Sequence, residues 1–250
     1  MKAIIIGAGR GRRLMPLTAD CPKCFAEVGG QRILDWAVAS LAEGGLREVV
    51  FIGGWQIDRV RAEYPKFTYR HNAEWERNNI LASLFCAEDM MDDGFVCSYA
   101  DILYRPSIIA QLMQSPHDIT LAVDTDWRAR YVHRTAHPED DGEKVRSEGD
   151  RVVQVARDLP SEQAQGEYLG VARFTAAGAR FLREHYARVR AQYDGQPFRG
   201  AASVEQAYLI LMFQELIDCG VPVHMIATHG GYLEVDTTED YWLAVQLWQA

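Results

Sequence analysis

Apolar residues follow two different periods along the first half of the chain. Short apolar runs, typical of buried strands, lie at residues 2–6, 47–54, 66–71, 94–101 and 118–124. The segments between them carry apolar residues at helical spacing, at 31–43, 55–64, 79–90 and from about residue 106. Consecutive parallel strands need a crossover, which is usually a helix. The alternation therefore predicts an α/β protein with a mixed, mostly parallel central sheet and helices on both faces.

The alternation stops near residue 125. The stretch 124–146 is polar, charged and weakly periodic, which predicts a long loop or flap beside a functional site. Beyond it, the pattern predicts strands over 151–159 and 166–174, two helices of which the second spans 203–219, a strand over 221–227 and a final helix over 237–248. We expect a single domain over residues 1–250 with a substrate-binding insertion around 124–165.

Composition and charge exclude several classes of protein. The 250 residues are 48% hydrophobic and 24% charged, as in ordinary folded proteins, and the formal net charge of -9 disfavours a broad nucleic-acid surface. The sequence shows no apolar run of membrane-spanning length and no leader-peptide pattern. Its five scattered cysteines are typical of reduced thiols. We therefore expect a cytoplasmic protein that binds neither nucleic acid nor membrane, and the oligomeric state, a homo-oligomer included, is left open.

The first predicted strand is followed by a loop of glycines and arginines. Its glycines, Gly7, Gly9 and Gly11, have the spacing G-x-G-x-G, and Arg12 stands where a dinucleotide fingerprint has its third glycine. The sequence contains no G-x-x-x-x-G-K-[ST] phosphate loop either. Backbone N–H groups and guanidinium groups in one loop suit a polyphosphate ligand. The alternative is a tight turn with solvated arginines.

The loop and the residues after it resemble a nucleotidyltransferase family that joins nucleoside monophosphates to phosphorylated small molecules. The matching positions are Ala8, Gly9, Gly11, Arg13, Leu14, Pro16, Thr18, Pro22, Lys23, Val28 and Gly29. Two positions depart from the signature, because Gly7 stands where Ala is common and Arg12 where Thr or Ser is common.

This resemblance implies a nucleotide-diphospho-sugar transferase-like, Rossmann-like fold. It also implies that Arg13 holds the β- and γ-phosphates and that Lys23 bridges the α-phosphate and the incoming group. The residues that the resemblance places against the nucleotide are Ala8, Gly9, Arg10, Gly11, Arg12 and Ala100.

Two aspartates fall in segments that resemble the family's metal-binding segments. Asp101 directly follows an apolar strand, and Asp236 lies in "GGYLEVDTTEDY" near the C-terminus. The resemblance implies that both bind Mg²⁺, which prefers carboxylate, water and phosphate oxygens. The alternative for either residue is a helix cap or a turn former. Glu234 is a weaker, supporting candidate.

The segment "RHNAEWERNNILASLF" resembles the corresponding segment of cytidylyltransferases that act on phosphocholine and on phosphonates. Sugar-nucleotide enzymes carry a glycine-rich segment there instead. The resemblance implies CTP as the nucleotide, with Asn79 and Ser83 reading the edge of cytosine. The alternative is that Asn78 and Asn79 cap the following helix.

The polar stretch around 124–146 is expected to meet the second substrate. Trp127 and Tyr131 with nearby acids suit an ammonium headgroup, while Arg130 and Lys144 suit its phosphate or phosphonate. Glu167, in a later predicted strand, is a further candidate. The reaction implied is transfer of CMP from CTP to a small phosphonate or phosphomonoester, such as 2-aminoethylphosphonate or phosphocholine, with release of pyrophosphate.

Two alternative functions stay open at this stage. One is a sugar-1-phosphate nucleotidyltransferase that uses UTP or dTTP. The other is a non-catalytic nucleotide-binding regulatory protein, which the presence of Arg13, Lys23 and both aspartates disfavours. A nicotinamide-dependent oxidoreductase is disfavoured by the glycine spacing.

Overall fold

The computed structural model describes residues 1–132 and 134–248. Its strands, in chain order, are β1 (Lys2–Gly7), β2 (Glu27–Val28), β3 (Gln31–Arg32), β4 (Val49–Gly53), β5 (Thr68–His71), β6 (Phe95–Tyr99), β7 (Ile102–Tyr104), β8 (Ile119–Asp124), β9 (Lys144–Glu148), β10 (Arg151–Ala156), β11 (Gly166–Phe174), β12 (His224–Thr228) and β13 (Tyr232–Glu234). Its α-helices are α1 (Ile33–Glu43), α2 (Ile57–Glu63), α3 (Ile80–Phe85), α4 (Pro106–Gln114), α5 (Ala176–Gln192), α6 (Leu209–Asp218) and α7 (Thr238–Leu247).

The central sheet has the order β5-β4-β1-β6-β11-β8-β12-β10-β9. The first four strands in this order are mutually parallel, and β12 is parallel to β8. Strands β11 and β10 run antiparallel to their neighbours. The predicted α/β fold with a mixed central sheet is confirmed.

Strand β1 shows why both faces of the sheet are covered. Successive side chains of a strand point to opposite faces. Ile4 and Ile6 accordingly join one core, with residues of α3, α5 and α6, whereas Ala3 and Ile5 join the other, with residues of α1 and α4. A strand that is buried on both sides in this way reads as a continuous apolar run, which is the pattern that the sequence shows.

Two differences between the structure and the predicted elements bear on the cavity. Residues 144–148, predicted as part of a loop, form β9 and pair with both β10 and β11. The helix predicted over 203–219 begins only at Leu209, because the carbonyls of Glu205 and Ala207 accept hydrogen bonds from the N–H groups of Asn79 and Leu81 at the start of α3. That segment therefore caps another helix instead of extending its own.

The carboxyl ends of β1 and β6 meet a small, two-stranded antiparallel sheet formed by β7 and β13. In this small sheet Glu234 is paired with Ile102, and the N–H of Val235 donates to the carbonyl of Asp101. The pairing brings two segments that are far apart in the sequence to one end of the sheet. Open α/β sheets bind their ligands at this end.

Residues 125–143, which we call the flap, connect β8 to β9 and contain two short 3-10 helices. The flap is attached to the start of α7. The carboxylate of Glu239 accepts hydrogen bonds from the N–H groups of Thr135 (2.7 Å) and Ala136 (2.9 Å), and Arg134 Nε lies 2.8 Å from Asp240 Oδ1. The single domain with an insertion at 124–165 stays a prediction. Within the described part of the chain, we find no helix with both the length and the apolar character that a membrane crossing needs.

Candidate active site

A cavity of about 620 Å³ lies at the carboxyl ends of β1 and β6 and under the flap. This volume is within the usual range for small-molecule sites. One group of lining residues, which we call the first-loop wall, includes Ala8, Gly9, Gly11, Arg12, Asn79, Ser83 and Ala100. A second group, the flap wall, includes Tyr99, His137, Glu143, Arg157, Glu167, Tyr168, Tyr208, Tyr232 and Glu234. The lining also includes Arg13, Lys23, Asp101 and Asp236.

The first loop is shaped by Gly11 and Leu14. Gly11 has a left-handed backbone (φ +67°), and its carbonyl accepts a hydrogen bond from the Thr18 hydroxyl at 2.8 Å. A Cβ at Gly11 would lie 2.9 Å from the Cβ and Cδ atoms of Lys23, so only glycine lets the lysine chain pass this close. Leu14 is buried against α7 residues, which fixes the short 3-10 helix carrying Arg12 and Arg13.

The centre of the cavity is a network of opposite charges. Lys23 Nζ donates hydrogen bonds to Asp101 Oδ2 (2.7 Å) and to Asp236 Oδ1, and Arg13 Nη2 donates to Asp236 Oδ2. Burial disfavours the charged form of Lys23, but the two carboxylates outweigh it and raise the pKa of the amine well above its usual value. Burial likewise opposes ionisation of Asp236, yet Lys23 and Arg13 hold its pKa far below the ordinary range. Lys23 and Asp236 therefore stay charged at neutral pH.

The donor set fits a hard divalent cation. The small sheet of β7 and β13 holds the carboxylates of Asp101 and Asp236 close enough to bind the same ammonium group, that of Lys23. The two carboxylates therefore already bind a positive charge between them. Carboxylate oxygens are the protein ligands that Mg²⁺ prefers. Donor atoms of His137, Glu234 and Asp236 also lie within 4.8 Å of one another, which adds a nitrogen donor nearby. Mg²⁺ binding by Asp101 and Asp236 stays a prediction.

Most of the predicted nucleotide residues line the first-loop wall, but Arg10 does not. Its guanidinium lies over the ring of Trp55, 5.2 Å from the centroid, and Arg10 is not among the residues described as lining the cavity. Contact between the Arg10 side chain and the nucleotide stays a prediction. Arg12 faces the cavity mouth, with Nη2 4.0 Å from Glu76 Oε1, and both side chains are largely exposed.

Asn79 and Ser83 lie on the cavity wall, yet their polar atoms are used within the protein. Asn79 Oδ1 accepts from the N–H of Ile80 at 2.8 Å and caps α3. Ser83 Oγ donates to the Asn79 carbonyl and accepts from Asn72 Nδ2 at 2.9 Å. Asn72 and Asn78 in turn exchange two hydrogen bonds through their amide groups. The helix-capping alternative therefore describes Asn79, and reading of a base by these two side chains would require the network to rearrange.

The flap wall corrects the predicted acceptor site. Of the five candidates, only Glu167 is among the residues described as lining the cavity. Lys144 is buried, and its Nζ donates to the carbonyl of Glu139 at 3.2 Å, which ties the flap to β9. Trp127 packs its ring edge-on against Tyr131. These side chains form the interior of the flap and do not face a ligand.

Arg130 and Tyr131 act on the cavity through Glu167. Arg130 donates to the carboxylates of Asp124 and Glu167, and Tyr131 Oη donates to Glu167 Oε1. Both side chains are almost completely buried. Their polar atoms orient a carboxylate that faces the cavity, and direct contact of these two side chains with substrate stays a prediction.

Sequence reasoning missed several residues of the flap wall, above all Glu143 and Arg157. Glu143 directly precedes β9 and Arg157 directly follows β10, and these strands pair antiparallel with Lys144 opposite Ala156. Their register therefore places the two side chains next to each other, with Arg157 Nη2 3.4 Å from Glu143 Oε1. Recognising 144–156 as a hairpin would have found this pair. Burial raises the pKa of Glu143 to about 7, because Arg157 offsets only part of the cost and Glu167 adds to it.

The comparisons with known proteins identify the family of this chain. The sequence model of the MobA-like NTP transferase domain matches residues 3–154, so the chain belongs to this family and is a nucleotidyltransferase. It is similar to the CTP:phosphoglutamine cytidylyltransferase of Campylobacter jejuni, with 28% identity over 257 residues that cover 99% of each chain.

Solved structures show the same fold. The chain is similar to the CTP:phosphocholine cytidylyltransferase of Streptococcus pneumoniae, with a TM-score of 0.71, 18% identity and 98% of each chain covered. It is also similar to the inositol-1-phosphate CTP transferase of T. maritima, with a TM-score of 0.74, 20% identity and coverage of 100% of this chain and 97% of that one. The predicted family and its nucleotide-diphospho-sugar transferase-like fold are confirmed.

We expect Gly11→Ala to weaken nucleotide binding by displacing Lys23. The new methyl group would collide with the lysine chain, and the left-handed backbone would be strained by about 1 kcal/mol or more. Gly149→Ala is the matched control, because Gly149 also has a left-handed backbone (φ +61°) but nothing lies within 4 Å of its added Cβ. Titration calorimetry with CTP should show a loss of affinity for Gly11→Ala alone. Equal affinity in both variants would contradict the role of this contact.

We expect Glu143→Gln to stabilise the protein more at high pH than at low pH. A carboxyl whose pKa is raised on folding contributes stability below its unfolded pKa and loses it as the pH rises through about 7. Glutamine does not titrate, so the melting temperature of the variant minus that of the wild type should rise between about pH 5 and about pH 8. The exposed Glu148 on β9 provides the control Glu148→Gln. A difference that is constant with pH would show that Glu143 titrates normally.

Proposed function

We propose that this nucleotidyltransferase transfers CMP from CTP to a small phosphorylated or phosphonate acceptor and releases pyrophosphate. The observation that carries the proposal is the convergence of Arg13 and Lys23 with Asp101 and Asp236 in the cavity. CTP is supported by the relative from Campylobacter jejuni, which is named for CTP and phosphoglutamine and matches over 99% of both chains. A 2-aminoethylphosphonate cytidylyltransferase of Lancefieldella rimae is 29% identical over 44% of this chain.

The chemistry follows from bringing two anions together. An oxygen of the acceptor phosphoryl group attacks the α-phosphorus of CTP, a new P–O bond forms, and the bond to the bridging oxygen breaks as pyrophosphate leaves. The attacking oxygen is already an anion, so no general base is needed. Positioning and neutralisation of charge then supply most of the acceleration. The cations of this chain and a bound Mg²⁺ would supply that neutralisation.

Lys23 and Arg13 have distinct parts in this reaction. Lys23 reaches the centre of the cavity as a point charge on a flexible stem, so it is suited to move from the carboxylates to the α-phosphate and the acceptor. Arg13 is half exposed and lies toward the mouth, where its planar guanidinium is suited to the β- and γ-phosphates. Asp101 and Asp236 would hold Mg²⁺, whose charge neutralises the triphosphate.

We expect the purified protein to release pyrophosphate from CTP with Mg²⁺ only when an acceptor is present. The acceptors to compare are phosphoglutamine, 2-aminoethylphosphonate, phosphocholine and glucose-1-phosphate, each with CTP, UTP and dTTP. A coupled pyrophosphate assay gives the rates, and mass spectrometry identifies the product. Turnover of a sugar phosphate with UTP or dTTP but none with CTP would overturn the proposal, as would no turnover with any pair.

We expect Asp101→Asn and Asp236→Asn each to lower kcat/KM by about 10²-fold or more, because each removes one charged oxygen ligand from the metal. The Mg²⁺ concentration that gives half-maximal rate should rise in both variants. Asp194→Asn, at an exposed position, is the control and should leave the rate unchanged. Circular dichroism checks that the variants fold, since Asp236 also neutralises Lys23 and Arg13. An unaltered Mg²⁺ dependence in both variants would contradict the metal assignment.

A further inference from the structure

We propose that the acceptor carries both an ammonium group and a carboxylate, as the head of an amino acid does, and that Glu143 and Arg157 are the residues that select it. This inference rests on the proposed function, because it names the acceptor class of the same cavity. The sequence predicted that Trp127, Arg130, Tyr131 and Lys144 select the acceptor. The inference assigns that selection to Glu143 and Arg157 instead.

The hairpin of β9 and β10 fixes the backbone beneath this pair. The carbonyl of Glu143 accepts a hydrogen bond from the N–H of Tyr168 on β11 at 2.8 Å. The guanidinium of Arg157 lies flat over the ring of Tyr208, 3.8 Å from the centroid, at the start of α6. The stacking holds the plane of the guanidinium and leaves its N–H edge available to a ligand, since Arg157 lines the cavity.

The contacts between Glu143 and Arg157 are long. Arg157 Nη2 is 3.4 Å from Glu143 Oε1, and Tyr99 Oη is 3.3 Å from Glu143 Oε2. Arg157 Nε is buried and has no hydrogen-bond partner in the described structure. By comparison, Arg199 Nε lies only 2.7 Å from Glu215 Oε2. The long contacts leave hydrogen-bonding capacity on both members of the pair.

The charges of the wall decide between kinds of headgroup. A simple cation such as choline or an aminoethyl group is attracted by Glu143 but repelled by Arg157. A simple carboxylate is attracted by Arg157 but repelled by Glu143. A headgroup with both charges places its carboxylate on the planar guanidinium and its ammonium on Glu143, which relieves the cost of burying each. The raised pKa of Glu143 agrees with a buried carboxyl whose desolvation is only partly offset by Arg157 before the ligand binds.

The experiment compares acceptors that differ by one charged group. O-phosphoserine is matched with O-phosphoethanolamine, which lacks the carboxylate, and with its deaminated counterpart, which lacks the ammonium. O-phosphohomoserine, with its own two counterparts, repeats the comparison with a longer spacer. Binding to the full chain is measured by calorimetry with Mg²⁺ and a CTP analogue whose α–β bridge is a methylene group, and transfer is measured with CTP.

For the wild type we expect the complete acceptor to bind at least about 10-fold more tightly than either truncated counterpart, at one spacer length or both, as the loss of one charge-assisted contact implies. Arg157→Gln should remove the preference for the carboxylate and leave O-phosphoethanolamine binding nearly unchanged or tighter. Glu143→Gln should remove the preference for the ammonium. The controls Arg146→Gln and Glu148→Gln, on the exposed part of β9, should keep both preferences.

The outcomes separate this inference from the proposed function. If selective binding occurs but no acceptor is cytidylylated, the proposed function fails and the headgroup assignment stands. If phosphocholine or O-phosphoethanolamine is bound as tightly and cytidylylated as fast as the complete acceptors, the function stands and the inference is wrong. A uniform loss of affinity for every acceptor in Arg157→Gln would show a structural role only. Failure of the wild type to prefer a complete acceptor at either spacer length would also overturn the inference.

Discussion

The ammonium group of Lys23 between the carboxylates of Asp101 and Asp236 is the interaction around which the cavity is organised. None of these charges could be buried alone without a large desolvation cost. Lys23 and Asp236 keep each other ionised, and Arg13 donates a further hydrogen bond to Asp236. A site of this kind holds its charges ready in the resting protein, so a triphosphate has only to exchange partners with them.

The two aspartates are brought together by a small sheet that is separate from the main sheet. Strands β7 and β13 pair a segment near residue 101 with one near residue 236 and place both aspartates next to the first loop. Gly11 gives Lys23 its path, and Leu14 fixes the loop against α7. The large sheet with its two apolar cores supplies a rigid base, so the charged centre depends on a few contacts at the carboxyl ends of β1 and β6.

The sequence predicted the parts of the protein that have strong local signals. Continuous apolar strands such as β1, helical spacing in α1 and the signature through Arg13 and Lys23 were sufficient for the fold, the family and the charged centre. The flap and the start of β9 have no such period. Composition alone therefore could not distinguish a buried side chain such as that of Lys144, which is bonded to the flap from β9, from a side chain that faces a ligand. Glu143 and Arg157 were missed because their proximity arises from the register of β9 and β10, which is a long-range property.

The β9–β10 hairpin and the first loop belong to different parts of the sheet. Strands β10 and β9 end the order of the sheet, whereas β1, which precedes the first loop, is the third strand from the other end. The family model matches residues 3–154, which include Glu143 but not Arg157. The hairpin is joined to the rest of the sheet through β11 and β12, and β1 pairs with β4 and β6. A change in the hairpin can therefore alter the flap wall while the strand pairing that supports the first loop is kept.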